Sequence, residues 1–300
     1  MTHWTSSKVL LRETKITGYI TNVEPLRIGA GKVDKLGSPI DLPVIKVSYM
    51  GVELPCIPGS SLKGVFRAHA EALARARGLE VCSGLAKETC MDKKQVNGRA
   101  LREHIEILLK QGKSSEAIEA FASTACLMCK VFGAPSYASK VDFSDAYPLD
   151  TEGNIIPYRL GERTGIAIDR RTGAVYGKAL YRVQYVEPGA KFKLRISSYN
   201  LPNYALGLLA SVLKLVDSGL AKIGGFKTRG FGSVKIEQLE IAHREHEASQ
   251  EAKLKPLDPA DVEVDLTEVA TVKEGQIVAE GQMAWKAIEK LMEAWESANL

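Results

Sequence analysis

Residues 191–197 constrain the fold more than any other stretch: Phe192, Leu194 and Ile196 alternate strictly with Lys191, Lys193 and Arg195. Successive side chains of a strand point to opposite faces, so the segment is predicted to be half-buried, with one apolar face and one cationic face. Less regular strand patterns occur at Lys15–Val23, Val141–Tyr147, Gly165–Ile168, Val175–Val186 and Ser233–Ile241. Asp169-Arg170-Arg171-Thr172-Gly173 reads as the turn of a hairpin with a basic tip.

Helical periodicity interrupts these strands twice. After Pro58, with Ser60 or Ser61 as the cap, Leu62, Val65, Phe66, His69, Leu73 and Ala76 recur at three- and four-residue steps until about Gly78. His69 on that face reads as a core histidine. Leu206–Val216 is a strongly apolar helix closed by Ser218-Gly219. A glycine-rich loop spans Ile28–Ile40, with Gly29, Gly31 and Gly37. The order of strand, helix, several strands, helix, glycine-rich loop and strand fits an α+β fold with a ferredoxin-like (RRM-like) core, an architecture common among RNA-binding modules. Residues 80–140 form an insertion with helical pieces near Ala100–Lys110 and Ser115–Lys130. Residues 244–275 are acidic, contain Pro256 and Pro259 and read as a linker before an amphipathic helix, Met283–Trp295. A docking surface for a neighbouring subunit is the expectation for that helix.

Charge is divided along the chain. Residues 241–300 carry 6 Lys/Arg against 13 Asp/Glu, so of the overall +4 the first 240 residues hold net +11. A polyanion would bind that basic part. No stretch approaches the ~20 apolar residues of a membrane span, and the N-terminus lacks a secretory apolar run, so a cytoplasmic protein is expected. Five cysteines in such a chain argue against a disulfide scaffold. Cys126 and Cys129 have the two-residue spacing of a zinc knuckle, and Cys82 and Cys90 precede them in the same insertion, enough for a tetrahedral structural Zn2+ site. The alternatives are that Cys126 and Cys129 are core residues, or that His104 replaces Cys82 or Cys90. Cys56 reads as core.

Ile57-Pro58-Gly59-Ser60-Ser61-Leu62-Lys63-Gly64 is followed about 160 residues later by Gly224-Gly225-Phe226-Lys227-Thr228-Arg229-Gly230-Phe231-Gly232. Together these segments resemble the paired signature of the RAMP superfamily of CRISPR-associated proteins. Val131-Phe132-Gly133, Phe143-Ser144-Asp145-Ala146 and Ile168–Gly173 are further similar to the repeat-copied backbone subunit of type III effector complexes. The resemblance implies residues 1–243 as a RAMP domain, with an insertion at 80–140 and a thumb-like hairpin at 160–190. Residues 244–300 then form an acidic C-terminal extension. It implies guide (CRISPR) RNA and complementary target RNA as partners, other subunits of the complex, no membrane and no small-molecule substrate. Carried over by position, RNA contacts fall on Ser60, Ser61, Lys63, Arg67, Lys227, Thr228 and Arg229, with Arg170 and Arg171 at the hairpin tip. Physically, a helix start presents free N–H groups to a phosphate, and glycines permit close approach of a ribose-phosphate chain. Phe226 is able to stack on bases, whereas Phe231 reads as core.

Ile40-Asp41-Leu42-Pro43-Val44-Ile45-Lys46 resembles the loop bearing the family's target-cleaving aspartate, which makes Asp41 the catalytic candidate and Asp34 its rival. Such a carboxylate orients or deprotonates a 2′-hydroxyl, or helps hold Mg2+ or another divalent ion. Leu42 stands where serine is usual and Val47 where an acidic residue is expected. A non-catalytic structural paralogue is therefore the alternative, followed by an endoribonuclease that processes precursor guide RNA, for which no acid/base pair is recognisable.

Overall fold

The computed structural model describes residues 4–30, 40–246 and 251–300, with the backbone alone at 177–179. Gly31, Asp34 and Gly37 lie outside the described residues. The chain opens with β1 (Arg12–Asn22), the hairpin β2 (Lys46–Tyr49) and β3 (Val52–Pro55), and α1 (Gly59–Ala76). The insertion follows as α2 (Cys90–Lys93), the short pair β4 (Gln95–Val96) and β5 (Arg99–Ala100), α3 (Leu101–Lys110), α4 (Ser114–Thr124) and α5 (Leu127–Phe132). Next come β6 (Val141–Phe143), β7 (Leu160–Ile168), β8 (Val175–Val186), β9 (Lys191–Tyr199), α6 (Asn203–Asp217) and β10 (Val234–Glu245). The last stretch holds β11 (Lys253–Leu254), β12 (Val264–Asp265), β13 (Thr271–Lys273), β14 (Gln276–Glu280) and α7 (Gln282–Ser297).

The protein is a mixed α+β structure whose main sheet runs β13-β14-β10-β1-β9-β6, with every pairing antiparallel. β9 shows the alternation read from sequence: Phe192, Leu194 and Ile196 are buried, while Lys193 and Arg195 are exposed. Those apolar residues share one core with Ile16 and Ile20 of β1, Leu62, Phe66 and Ala70 of α1, and most of α6. Phe66 of α1 meets Phe143 of β6 at a ring-centroid distance of 4.9 Å.

Four expectations require correction. The predicted helix at 115–130 is two helices, because Ala125 and Cys126 are extended and Cys126 is the N-cap of α5. Ser60 and Ser61 do not cap α1; Pro58 is the N-cap, and the Gly59 amide donates to the Asp145 carboxylate at 2.7 Å. The acidic stretch after 244 is not a linker. Leu254, Val264, Leu266 and Val269 are buried, and the fully buried Arg12 donates to the Lys255 carbonyl at 2.6 Å while paired with Glu245 at 2.6 Å. Finally, the α7 stripe is used within the chain: Ala284, Ile288, Leu291 and Trp295 are all buried in the main core.

The α6–α7 contact depends on a glycine. A Cβ on Gly207 of α6 would overlap the Leu291 carbonyl oxygen and approach the Trp295 Cβ to 2.9 Å. Arg77, just beyond α1, grips the same C-terminal end of α7 by donating to the Trp295 carbonyl and, at 2.9 Å, to the Ala298 carbonyl, with its guanidinium 4.6 Å from the Trp295 ring. A cation at the C-terminus of a helix opposes the negative end of its dipole. Gly207→Ala is expected to cost about 1–3 kcal/mol by overpacking, read as a lowered urea midpoint. An unchanged midpoint would mean that α7 does not pack on α6 in solution.

Candidate nucleic-acid interface and metal centre

Segments far apart in sequence line one open cleft of about 640 Å³. From α1 come Ser61, Gly64, Val65, Ala68 and His69, which share a helical face. Gly224, Gly225 and Lys227 line it from the loop after α6, and Arg27, Ile28, Gly29 and Leu42 complete it. Gly224 has φ +85°, and a Cβ there would overlap the Arg27 carbonyl oxygen. The Gly225 N–H donates to that same oxygen at 2.8 Å. Only glycine lets the loop lie this close to the Arg27 backbone.

Cations and aromatic rings alternate outward from the cleft. Phe226 holds φ +58°, a conformation bulky residues rarely adopt. The guanidinium groups of Arg27 and Arg229 lie 5.4 and 5.3 Å from its ring. Arg229 also donates to the Tyr181 hydroxyl at 3.2 Å, and Arg163 lies 5.0 Å from the Phe231 ring and 5.8 Å from that of Tyr185. Among the described residues, the half-buried Arg27 guanidinium donates to the Leu42 carbonyl at 3.5 Å, and burial pushes it below its ordinary value. Such a group favours an anionic ligand.

The β7–β8 hairpin carries Arg170 and Arg171 at its exposed tip, where the Asp169 carboxylate accepts the Arg171 amide at 2.8 Å and fixes the turn. Asp41 lies against this hairpin. Its Oδ2 accepts the Arg182 amide at 2.7 Å, Leu42 donates to the Arg182 carbonyl at 3.1 Å, and the Gln184 amide returns a bond to Leu42 at 3.0 Å. Asp41 is exposed and adjoins Leu42 of the cleft lining. Among the described residues, no group of three or more His, Cys, Asp or Glu ligands includes it.

The four cysteines do converge. The Sγ atoms of Cys82, Cys90, Cys126 and Cys129 all lie within 4.8 Å of one another, with Cys82 and Cys90 at 3.3 Å. Tetrahedral thiolates around zinc, with bonds of about 2.3 Å, sit about 3.8 Å apart, so the set could hold such an ion. The Cys126 amide donates to the Cys90 sulfur at 3.2 Å and the Cys82 amide to the Cys126 sulfur at 3.4 Å. Hydrogen bonds from the Cys129 and Cys90 thiols drive the Cys126 thiol well below its ordinary value, toward the thiolate a metal requires. His104 is not in the cluster. Cys56 stands apart from it and is buried.

A sequence model described as the RAMP superfamily matches residues 19–235, from within β1 to the start of β10. The chain belongs to the RAMP superfamily. Membership points to CRISPR-associated RNA binding, and the matched span contains the cleft, the hairpin and the cysteine cluster. No curated protein matches the chain. No helix among the described residues is long and apolar enough to cross a membrane.

Of the RNA contacts expected for this RAMP protein, Ser61 and Lys227 line the cleft. Thr228 and Arg229 continue the same exposed turn, and Ser60 is exposed at the start of α1. Arg67 faces elsewhere: it pairs with Glu71 at 3.1 Å and donates to the Gly133 carbonyl at 3.3 Å, tying α1 to the insertion. Burial and the charge of Arg67 hold the neighbouring Lys63 below its ordinary value. Sequence reasoning missed Arg27 and assigned His69 to the core, yet both line the cleft. A lone arginine between Pro25 and the glycine-rich stretch was the available signal for the first.

Proposed function

We propose that this RAMP protein is a guide-RNA-binding backbone subunit of a type III CRISPR effector complex, which cleaves bound target RNA through Asp41. One observation carries the reading: the two signature segments face a single cleft that presents Arg27, Lys227 and the bare backbone of Gly29, Gly64, Gly224 and Gly225. Cations supply affinity for phosphate, and missing side chains admit a sugar-phosphate chain. A ferredoxin-like core is part of this proposal, supported by strands β1, β6, β9 and β10 lying in the order β10-β1-β9-β6 with α1 and α6 between them in sequence. The β7–β8 hairpin suits a thumb: Ile166, Ile168, Val175, Tyr176 and Leu180 are all 48–68% exposed on it, an apolar surface that calls for a partner. Zinc is the proposed ion of the cysteine cluster.

A structural subunit with the same contacts and no chemistry is the second reading, favoured by Leu42 and Val47 at positions where the family pattern differs.

RNA binding by the purified chain, followed by anisotropy across a salt series, tests the central point. The double variant Arg27→Ala, Lys227→Ala is expected to weaken single-stranded RNA binding about tenfold or more and to flatten the salt slope by about 1.4, that is ~0.7 per lost phosphate contact. Unchanged affinity and slope would remove the cleft from the RNA path.

A further inference from the structure

His69 was read as a core residue, but its half-buried ring lines the cleft beside Ser61, Gly64 and Lys227. Its Nδ1 lies 2.9 Å from the Val65 carbonyl oxygen one turn earlier. A carbonyl only accepts, so Nδ1 carries the hydrogen, and in the neutral ring Nε2 is a bare acceptor. No hydrogen bond to Nε2 is formed among the described residues, whereas the Nδ1 contact holds the ring in place. The cleft thus contains cations suited to phosphates and one fixed acceptor of a different character.

Phosphate oxygens offer nothing to such an acceptor. Along a nucleic-acid backbone the ribose 2′-hydroxyl alone is a donor, and it is the group that distinguishes RNA from DNA. We infer that His69 accepts a hydrogen bond from a 2′-hydroxyl of the bound strand and so selects RNA over strands lacking that group. The inference rests on the reading of the cleft as an RNA site and adds its sugar specificity. The neighbouring Gly64 leaves room for a ribose edge, since a Cβ there would meet no atom within 4 Å.

The test compares the full-length chain with His69→Ala and His69→Phe, the second keeping a ring in place. The probes are an oligouridine of about ten nucleotides and its 2′-fluoro counterpart, which keeps the ribose-like pucker and bases but cannot donate. The wild-type chain is expected to prefer the 2′-hydroxyl strand by about three- to tenfold, the worth of one hydrogen bond. Both variants should lose that preference while binding the 2′-fluoro strand as the wild type does. A preference that persists in the variants overturns the inference, as does an equal loss for both probes, which would make His69 a phosphate or packing residue. If the wild-type chain binds neither probe, the RNA reading of the cleft fails and this inference with it.

Discussion

Asp41→Ala is expected to slow cutting of target RNA by about 10²- to 10⁴-fold at the positions this subunit occupies, the usual loss for a missing general base. Guide RNA should stay bound. The carboxylate is positioned without being buried: Oδ2 is held by the Arg182 amide, and the following residue bridges to the hairpin. In the proposed step Asp41 takes the proton of a target 2′-hydroxyl as that oxygen attacks the adjacent phosphorus. A bond from 2′-oxygen to phosphorus forms, the bond to the 5′-oxygen breaks, and the leaving oxygen takes a proton from water. The products are a 2′,3′-cyclic phosphate and a 5′-hydroxyl. The measurement is cleavage of a labelled complementary RNA by the assembled complex, with guide occupancy checked in parallel. Because Asp41 is exposed and its backbone contacts run through Leu42, the variant should assemble normally. Unchanged cutting would leave the structural reading in possession.

Cys129→Ser is expected to release the metal and unfold the insertion. Cys90, Met91, Leu101, Ile105, Leu108, Ala117, Phe121, Ala125 and Cys129 form a small core separate from the main one. A core of that size closes a region of about 60 residues weakly on its own. A thiolate-bound ion contributes on the order of 10 kcal/mol in small zinc domains, far above the cost of exchanging one buried sulfur for oxygen. Metal analysis should find about one equivalent of zinc in the wild-type chain and little in the variant. Hydrogen exchange should then rise across α3 and α4 while β1, β9 and β10 stay protected. Less than about half an equivalent in the wild-type chain, with equal protection in both proteins, would sink the metal site. Loss of protection throughout the main sheet would show instead that the insertion is no separate unit.

Local pattern and local chemistry settled a large part of this protein. The alternation of Lys191–Ser197 specified β9 and its buried face, the 3.6-residue period specified α1 and α6, and Asp169–Gly173 specified the hairpin turn, because each depends on neighbours a few residues away. The four cysteines were legible because metal chemistry admits few donor sets. Tertiary structure alone decided which surfaces meet. An apolar stripe on α7 predicts that something covers it, and only the fold shows that α6 does so through Gly207 rather than another subunit. His69 sits on a helix face whose neighbours are apolar, yet the glycine-rich loop opposite leaves a cleft where sequence predicted packing. Arg27 has no local motif at all; its role follows from Gly224 and Gly225 closing on its carbonyl from about 200 residues away. Periodicity reports that a face must be buried or solvated, and long-range packing chooses its partner.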